Sequence, residues 1–69
     1  MIKKTLKQYR LENKLTQKQV AMHINKTVTF ISLLENGKRN ASDATKESLA
    51  KLYKCEVSDI FLALKLTDS

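Results

Sequence analysis

Apolar side chains recur three or four positions apart along most of the chain, which is the spacing of an amphipathic helix. The spacing predicts five short helices, at about 3–13, 16–25, 27–37, 42–54 and 57–62. The chain has one Gly and no Pro, so it is poor in the residues that usually separate strands at tight turns. The pattern therefore predicts an all-α fold.

One face of each of the first four predicted helices carries the residues that we expect to point into the core. In chain order these are Leu6, Tyr9 and Arg10; Val20, Ala21 and Ile24; Phe30, Ile31 and Leu34; and Ser48, Leu49, Leu52 and Tyr53. The apolar residues of the short fifth helix are Val57, Ile60 and Phe61. We interpret Cys55 as a small core residue rather than a reactive thiol. Residues 62–66 alternate apolar and mixed side chains, so this segment either extends the fifth helix or forms an edge strand.

The residues between these stretches suit the starts and ends of helices. Residues 16–19 read Thr-Gln-Lys-Gln, which fits a capping box in which the Thr hydroxyl and the second Gln side chain satisfy two free backbone amides. Good N-caps also precede the third and fourth helices, at Thr27 and Ser42. Helix ends favour residues that tolerate a positive φ, and the first three predicted helices end at such residues, namely Asn13, Asn25 and Gly37. The fourth helix ends at a basic residue, Lys54.

Length and charge limit the classes of function. A chain of 69 residues predicts one small domain over 1–69, with a core at about 6–61 and a tail at 62–69. The formal net charge is +6, and residues 1–40 hold nine of the 13 basic residues but two of the seven acidic ones. This asymmetry suits binding to a polyanion such as nucleic acid, or an ordinary solvated surface, and composition does not choose between them.

Other classes are disfavoured. No apolar run approaches the ~18 residues of a membrane helix, and polar residues follow Met1-Ile2-Lys3-Lys4, so we expect no secretion signal. A single cysteine cannot form an internal disulfide or a zinc cage. His23 is the only histidine, and no glycine-rich phosphate loop or metal-ligand spacing occurs. We therefore expect a cytoplasmic protein that is not an enzyme and binds no metal, cofactor or small-molecule ligand.

Residues 16–40 contain a candidate helix-turn-helix, because residues 24–27 leave room for only a very short turn between two helices. Ala21 is small where the second helix must cross close by. Asn25 suits the turn, and Ile31 and Leu34 can lock the later helix onto the earlier one. Helical hairpins with a small crossing residue are common, so the spacing alone is only moderately specific.

Three segments carry a more specific resemblance: LKQYRLENKLTQKQVA, TFISLLENGKRNAS and LAKLYKCEVSDIF. In this order they resemble the lambda-repressor-like helix-turn-helix family, also called the Cro/cI or XRE type, from about Leu6 to Phe61. The resemblance implies a compact five-helix DNA-binding domain in which helices 2 and 3 form the helix-turn-helix. It also implies that the third helix enters the DNA major groove.

The resemblance further implies roles for individual positions. The base-facing positions would be Thr27, Val28, Thr29, Ser32 and Leu33. The phosphate contacts would come from Gln17, Lys18, Lys26, Asn36, Lys38, Arg39 and Asn40. Arg10 and Glu35 match a pair that forms a partly buried salt bridge in similar proteins, although two independent surface charges are the alternative.

Four positions depart from the family pattern. Asn25 stands where Gly is usual, and Ala41 where Pro is frequent. Lys26 stands where an apolar residue is usual, so its stem would pack while its amine reaches a phosphate. Lys54 stands where Gly or Asn often caps the fourth helix.

The predicted recognition helix has no charged or amide side chain at Val28, Thr29, Ser32 or Leu33. It therefore lacks the bidentate contacts that discriminate guanine and adenine best, and we expect contacts to thymine methyl groups together with readout of DNA shape. The alternative is that Val28, Phe30 and Leu33 form an exposed apolar patch that packs on a protein.

We expect a homodimer, because a domain this small binds one half-site weakly and a twofold pair reads two half-sites about 34 Å apart. The candidate dimer residues are Val57, Ile60, Phe61, Leu62, Leu64 and Leu66, and the alternative is that some of them only close the monomer core. The expected function is a double-stranded DNA-binding transcriptional regulator of bacterial or phage origin, most simply a repressor on the nucleoid. An antitoxin-like interaction module and an architectural accessory to recombination are the alternatives.

Overall fold

The computed structural model describes residues 4–67, and this range contains five helices and no strand. The helices are α1 (Leu6–Glu12), α2 (Gln17–His23), α3 (Val28–Glu35), α4 (Asp43–Tyr53) and α5 (Val57–Thr67). α2 packs against α3 and α4 against α5, while α1 and α3 both contact α5. The predicted all-α class is confirmed. Of the helix predicted at 3–13, position 3 lies outside the described residues, and α1 begins at Leu6, after its N-cap Thr5.

The capping box predicted at the start of the second helix is confirmed. Thr16 Oγ1 accepts a hydrogen bond from the Gln19 amide at 3.1 Å, and Gln19 Oε1 accepts one from the Thr16 amide at 2.8 Å. The same reciprocal pair forms at the start of α1 between Thr5 and Gln8. Two short helices therefore begin at fixed positions, which matters because neither is long enough to be stable alone.

Helices α1 to α4 all end in the same turn, in which the amide that follows a residue at positive φ donates to a carbonyl five residues back. These bonds run from Leu15 to Arg10, Lys26 to Ala21, Lys38 to Leu33 and Cys55 to Ala50, at 2.8–3.1 Å. The turn needs one residue at positive φ, and the four residues that adopt it are Lys14, Asn25, Gly37 and Lys54.

Asn13 does not take the predicted left-handed conformation, since its φ is −88°. Its side chain Nδ2 instead donates to the Tyr9 carbonyl at 2.7 Å, and Lys14 adopts φ 57° one residue later. The prediction assigned the positive φ to Asn13 because asparagine tolerates it better than lysine. The hydrogen bonds at the helix end instead require the positive φ at Lys14.

The core is formed by side chains from all five helices. The largest fully buried ones are Val20, Ile31, Leu34, Leu49 and Ile60. Ser48, which was predicted to face inward on α4, is exposed, because the inward stripe follows Thr45, Leu49 and Tyr53. Cys55 is partly buried and packs against the core, as expected.

The segment after residue 62 extends α5, so the edge-strand alternative is wrong. Ala63 is fully buried and belongs to the core, and Leu64 packs against it. The core therefore extends beyond the predicted limit of about residue 61. The longer α5 also has exposed apolar residues in its second half, Leu62 and Leu66.

Candidate nucleic-acid interface

The outer side of α3 is accessible to a ligand. Thr27 caps the helix, its Oγ1 accepting from the Phe30 amide at 3.0 Å, and thereby fixes where the exposed first turn begins. Thr27, Val28 and Thr29 are exposed, whereas Ser32 and Leu33 are partly buried. Three of the five predicted base-facing residues are thus exposed, and the other two have part of their surface accessible.

A groove of about 480 Å³ runs along this side of the helix. Its lining includes residues from both predicted groups and, among residues 4–67, no carboxylate: Asn25, Lys26, Thr27, Thr29, Phe30, Leu33 and Arg39. The fold therefore brings Thr27, Thr29 and Leu33 next to two cations that lie thirteen positions apart in the sequence. An anionic ligand with an apolar edge matches such a groove in charge and chemistry.

The remaining predicted phosphate contacts flank the helix-turn-helix. Six of the seven are exposed: Lys18, Lys26, Asn36, Lys38, Arg39 and Asn40. Among residues 4–67, none of the four cations in that group takes part in an ion pair, whereas Lys4 pairs with Glu12 and Lys46 with Asp43. The Asn36 side chain Nδ2 donates to the Ser32 carbonyl at 2.8 Å, which caps the end of α3.

Gln17 is the exception, because it is partly buried and already has a partner in the protein. Its Nε2 donates to Glu35 Oε1 at 3.1 Å. One amide proton is therefore used inside the fold, and any phosphate contact has to come from the remaining one. Nothing in the sequence separation of 18 residues indicates this bond.

The predicted salt bridge between Arg10 and Glu35 is present. Arg10 Nε lies 2.7 Å from Glu35 Oε2, and the two side chains are only 10% and 5% exposed. Arg10 also donates to the Leu15 carbonyl at 3.0 Å, so the guanidinium ties α3 both to α1 and to the turn before α2. The alternative of two independent surface charges is wrong.

Phe30 is partly buried against the core, and Leu33 is partly buried as well. Lys26 Nζ and Arg39 Cζ lie 5.3 Å and 5.2 Å from the centroid of the Phe30 ring. The ring is therefore flanked by cations and does not form the open apolar patch required by the protein-binding alternative.

The α5 residues predicted to form a dimer surface fall into two groups. Val57, Phe61, Leu62 and Leu66 are 41–46% exposed, and we call these four apolar side chains on the solvent side of the helix the apolar strip of α5. Two cations border it at Phe61, since Lys46 Nζ and Lys65 Nζ lie 5.2 Å and 4.6 Å from the centroid of that ring. Ile60 has no exposed surface and Leu64 packs on the core, so placing Ile60 in an interface was wrong. The error arose because the helix face toward α1, α3 and α4 was not known.

Other chemistry finds little support in the part of the chain that the structure describes. No group of three or more His, Cys, Asp or Glu side chains lies close enough to hold a metal ion there. His23 is exposed, and burial raises the pKa of the Cys55 thiol above its ordinary value. Within the same residues, no helix combines the length and apolarity needed to span a bilayer.

Comparison with known proteins agrees with this geometry. A helix-turn-helix family model matches residues 6–60. Over 54 residues the chain is 43% identical to the competence pilus inhibition repressor of Acinetobacter baylyi, an alignment that covers 78% of this chain and 49% of the relative. The chain thus spans about half the length of that relative. No solved structure matches it significantly. The matched region contains all of α1 to α4, so the chain belongs to the lambda-repressor-like, XRE-type helix-turn-helix family.

Proposed function

We propose that the protein is a sequence-specific double-stranded DNA-binding transcriptional regulator that reads the major groove with α3. The observation that carries the proposal is the carboxylate-free groove on α3, where Thr29 and Leu33 lie beside Lys26 and Arg39. An α-helix fits the major groove, and cations at its edges can reach the phosphates on either side. Repression is the simplest outcome, and a relative's name as a repressor supports it.

Specificity in this proposal comes from apolar contact and from DNA shape. The Val28 side chain and the Thr29 methyl group are exposed at the start of α3, where they can touch the C5-methyl group of thymine. The Thr27 and Thr29 hydroxyls add hydrogen bonds to base edges, and a hydroxyl can pair there with a donor or an acceptor. Affinity comes mainly from phosphates, through Lys18, Lys38 and the two groove cations, and therefore falls steeply as salt rises.

We further propose that the active form is a homodimer joined through the exposed strip of α5. The strip comprises Val57, Phe61, Leu62 and Leu66, four apolar residues within ten positions. A twofold pair would place two α3 helices on half-sites about one helical turn apart. The protein would act on nucleoid DNA in the cytoplasm, with no catalytic activity, metal, cofactor or small-molecule ligand.

Selection of bound sequences from a random duplex pool at near-physiological ionic strength tests this function. We expect enrichment of a thymine-containing, twofold-symmetric site, and repression of a reporter that carries this site in its promoter. Gel shifts on the selected site and on a scrambled duplex of equal length separate specific from electrostatic binding. A pool that shows no enrichment, with equal and fully salt-labile binding to both duplexes, would contradict the proposal.

A further inference from the structure

Phe30 sits on the side of α3 that we propose faces DNA, yet it contributes no hydrogen-bonding group. Its ring is partly buried and packs against the core, so its position is fixed by the fold. The helix places it one residue after exposed Thr29 and one residue before buried Ile31. The ring thus lies at the boundary between the core and the groove, and it is one of the residues that line the groove.

Two cations converge on this ring from different parts of the chain. Lys26 Nζ, from the turn before α3, lies 5.3 Å from the ring centroid, and Arg39 Cζ, from the loop after α3, lies 5.2 Å from it. Both distances are within the ~6 Å over which an aromatic face attracts a cation. No carboxylate lines the groove, and neither cation has an ion-pair partner within residues 4–67.

Long basic side chains lose rotamer freedom when they bind a phosphate, and this loss weakens binding. A side chain that already rests on a fixed ring has less freedom left to lose. Cation–π attraction leaves the N–H groups that point away from the ring free to donate to a phosphate oxygen. The ring can therefore improve binding without touching the DNA itself.

We propose that Phe30 is a positioning residue that holds the Lys26 ammonium and the Arg39 guanidinium in place for two DNA phosphates, an inference that rests on the proposed DNA-binding function. The two cations flank the base-facing residues Thr29 and Leu33 in one groove. Fixing both cations also fixes the register of α3 in the major groove, because phosphate contacts set the orientation of a protein on the duplex.

The test compares Phe30→Leu and Phe30→Trp with the wild-type chain by fluorescence anisotropy on the selected duplex and on a scrambled one. Leucine keeps an apolar contact with the core but has no π face, and tryptophan restores a π face. We expect Phe30→Leu to raise Kd about 5- to 20-fold on both duplexes. We expect Phe30→Trp to stay within about twofold of wild type, with circular dichroism spectra unchanged for both.

A double-mutant cycle separates positioning from a purely structural role. In a Lys26→Ala/Arg39→Ala background, measured at low salt, Phe30→Leu should raise Kd less than about twofold, because no cation remains to be held. The same increase in both backgrounds would overturn the inference, as would an unchanged Kd for Phe30→Leu in the wild-type background. A wild-type chain that binds no DNA would overturn the proposed function and this inference with it.

Two further measurements guard against a variant that fails to fold. In the free wild-type protein, the side-chain protons of Lys26 and Arg39 should show upfield ring-current shifts in NMR spectra, and random-coil shifts for both would contradict the proposal. Tyr9→Leu is the matched control, since Lys4 Nζ lies 5.2 Å from the Tyr9 ring, next to the carboxylates Glu12 and Asp59. Its Kd should remain at the wild-type value.

Discussion

Glu35 on α3 binds Arg10 on α1 through both carboxylate oxygens. Arg10 Nε lies 2.7 Å from Oε2 and Arg10 Nη2 lies 3.3 Å from Oε1, while Gln17 on α2 donates to Oε1 at 3.1 Å. One buried carboxylate therefore joins the three helices that carry or support the proposed DNA surface. The orientation of α3 depends on a charged network as well as on apolar packing.

Breaking this network from one side should destabilise the fold strongly. Glu35→Gln or Arg10→Met leaves a nearly buried charge without its partner, which costs about 3 kcal/mol in the free energy of unfolding. Urea unfolding followed by circular dichroism measures this. The double variant Arg10→Met/Glu35→Leu removes both charges and should cost less than either single variant. Single variants as stable as the wild-type chain would contradict the conclusion that the Arg10–Glu35 pair stabilises the fold.

The exposed pair of Lys4 and Glu12 provides the control. Lys4 Nζ lies 2.7 Å from Glu12 Oε1, but the two side chains are 36% and 54% exposed. The Glu12 carboxylate raises the pKa of Lys4 through this hydrogen bond. Solvent screens such a pair, so Glu12→Gln should leave the urea midpoint close to that of the wild-type chain.

Lys14 and Lys54 adopt φ 57° where glycine is the residue without strain. Lys14→Gly and Lys54→Gly should therefore each stabilise the fold by about 0.5–1 kcal/mol, because the left-handed conformation costs a residue with a Cβ roughly 1–2 kcal/mol and glycine loses part of this in chain entropy. Thermal unfolding measures the gain. Lys51→Gly, within α4, should destabilise by about 1 kcal/mol. Equal changes in stability at all three positions would contradict the conclusion that Lys14 and Lys54 are strained by their positive φ.

The sequence was sufficient to predict the helix-turn-helix because its determinants are local. The capping box at Thr16, the inward stripe of Ile31 and Leu34, and the positive φ of Asn25 and Gly37 each depend on a few neighbouring residues. Periodicity reports which residues share a face, and caps report where a helix begins. The first four helices could be placed on these grounds to within a few residues, whereas the fifth was predicted to end at about residue 62 and continues to Thr67.

Features that depend on contacts between distant segments could not be predicted in the same way. The bond from Gln17 to Glu35 and the approach of Arg39 to Phe30 join residues whose separation carries no pattern. The burial of Ile60 depends on which side of α5 meets the other helices. The salt bridge of Arg10 was accessible only through the family resemblance, which supplies contact information that periodicity lacks.

Cys55 should react slowly with alkylating reagents. Burial raises the pKa of its thiol, and the carboxylates of Asp59 and Glu56 raise it further. Because the thiolate is the nucleophile, a raised pKa lowers the reactive fraction near neutral pH, and the rate should increase only above the ordinary thiol range. Iodoacetamide labelling followed by mass spectrometry, with and without urea, measures this. Equal rates for the native and unfolded chains would contradict it.

Base-facing and phosphate-binding residues should respond differently to substitution. Thr29→Ala combined with Leu33→Ala should reduce the preference for the selected duplex over a scrambled one, while leaving binding to the scrambled duplex nearly unchanged. Lys38→Ala or Arg39→Ala should weaken binding to both duplexes and reduce the slope of log K against log salt by about one unit per lost contact. If Lys38→Ala and Arg39→Ala both prove neutral, the phosphate assignments are wrong.

The apolar strip of α5 should determine the oligomeric state. Leu62 and Leu66 lie one helical turn apart and are 42% and 44% exposed, so Leu62→Glu/Leu66→Glu can be introduced without disturbing the core. Two carboxylates in an apolar interface are expensive to bury, and the variant should be monomeric where the wild-type chain is dimeric. Sedimentation equilibrium measures this, with unchanged circular dichroism as the check on folding.

The same variant connects association to DNA recognition. A monomer engages one half-site at a time, so Leu62→Glu/Leu66→Glu should bind a twofold-symmetric duplex no more tightly than a single half-site, whereas the wild-type chain prefers the symmetric duplex. Met22→Glu is the control, because Met22 is 72% exposed on α2 and lies outside the strip. It should leave the dimer intact. A wild-type chain that stays monomeric at all concentrations, or a Leu62→Glu/Leu66→Glu variant that still dimerises, would show that α5 is not the interface.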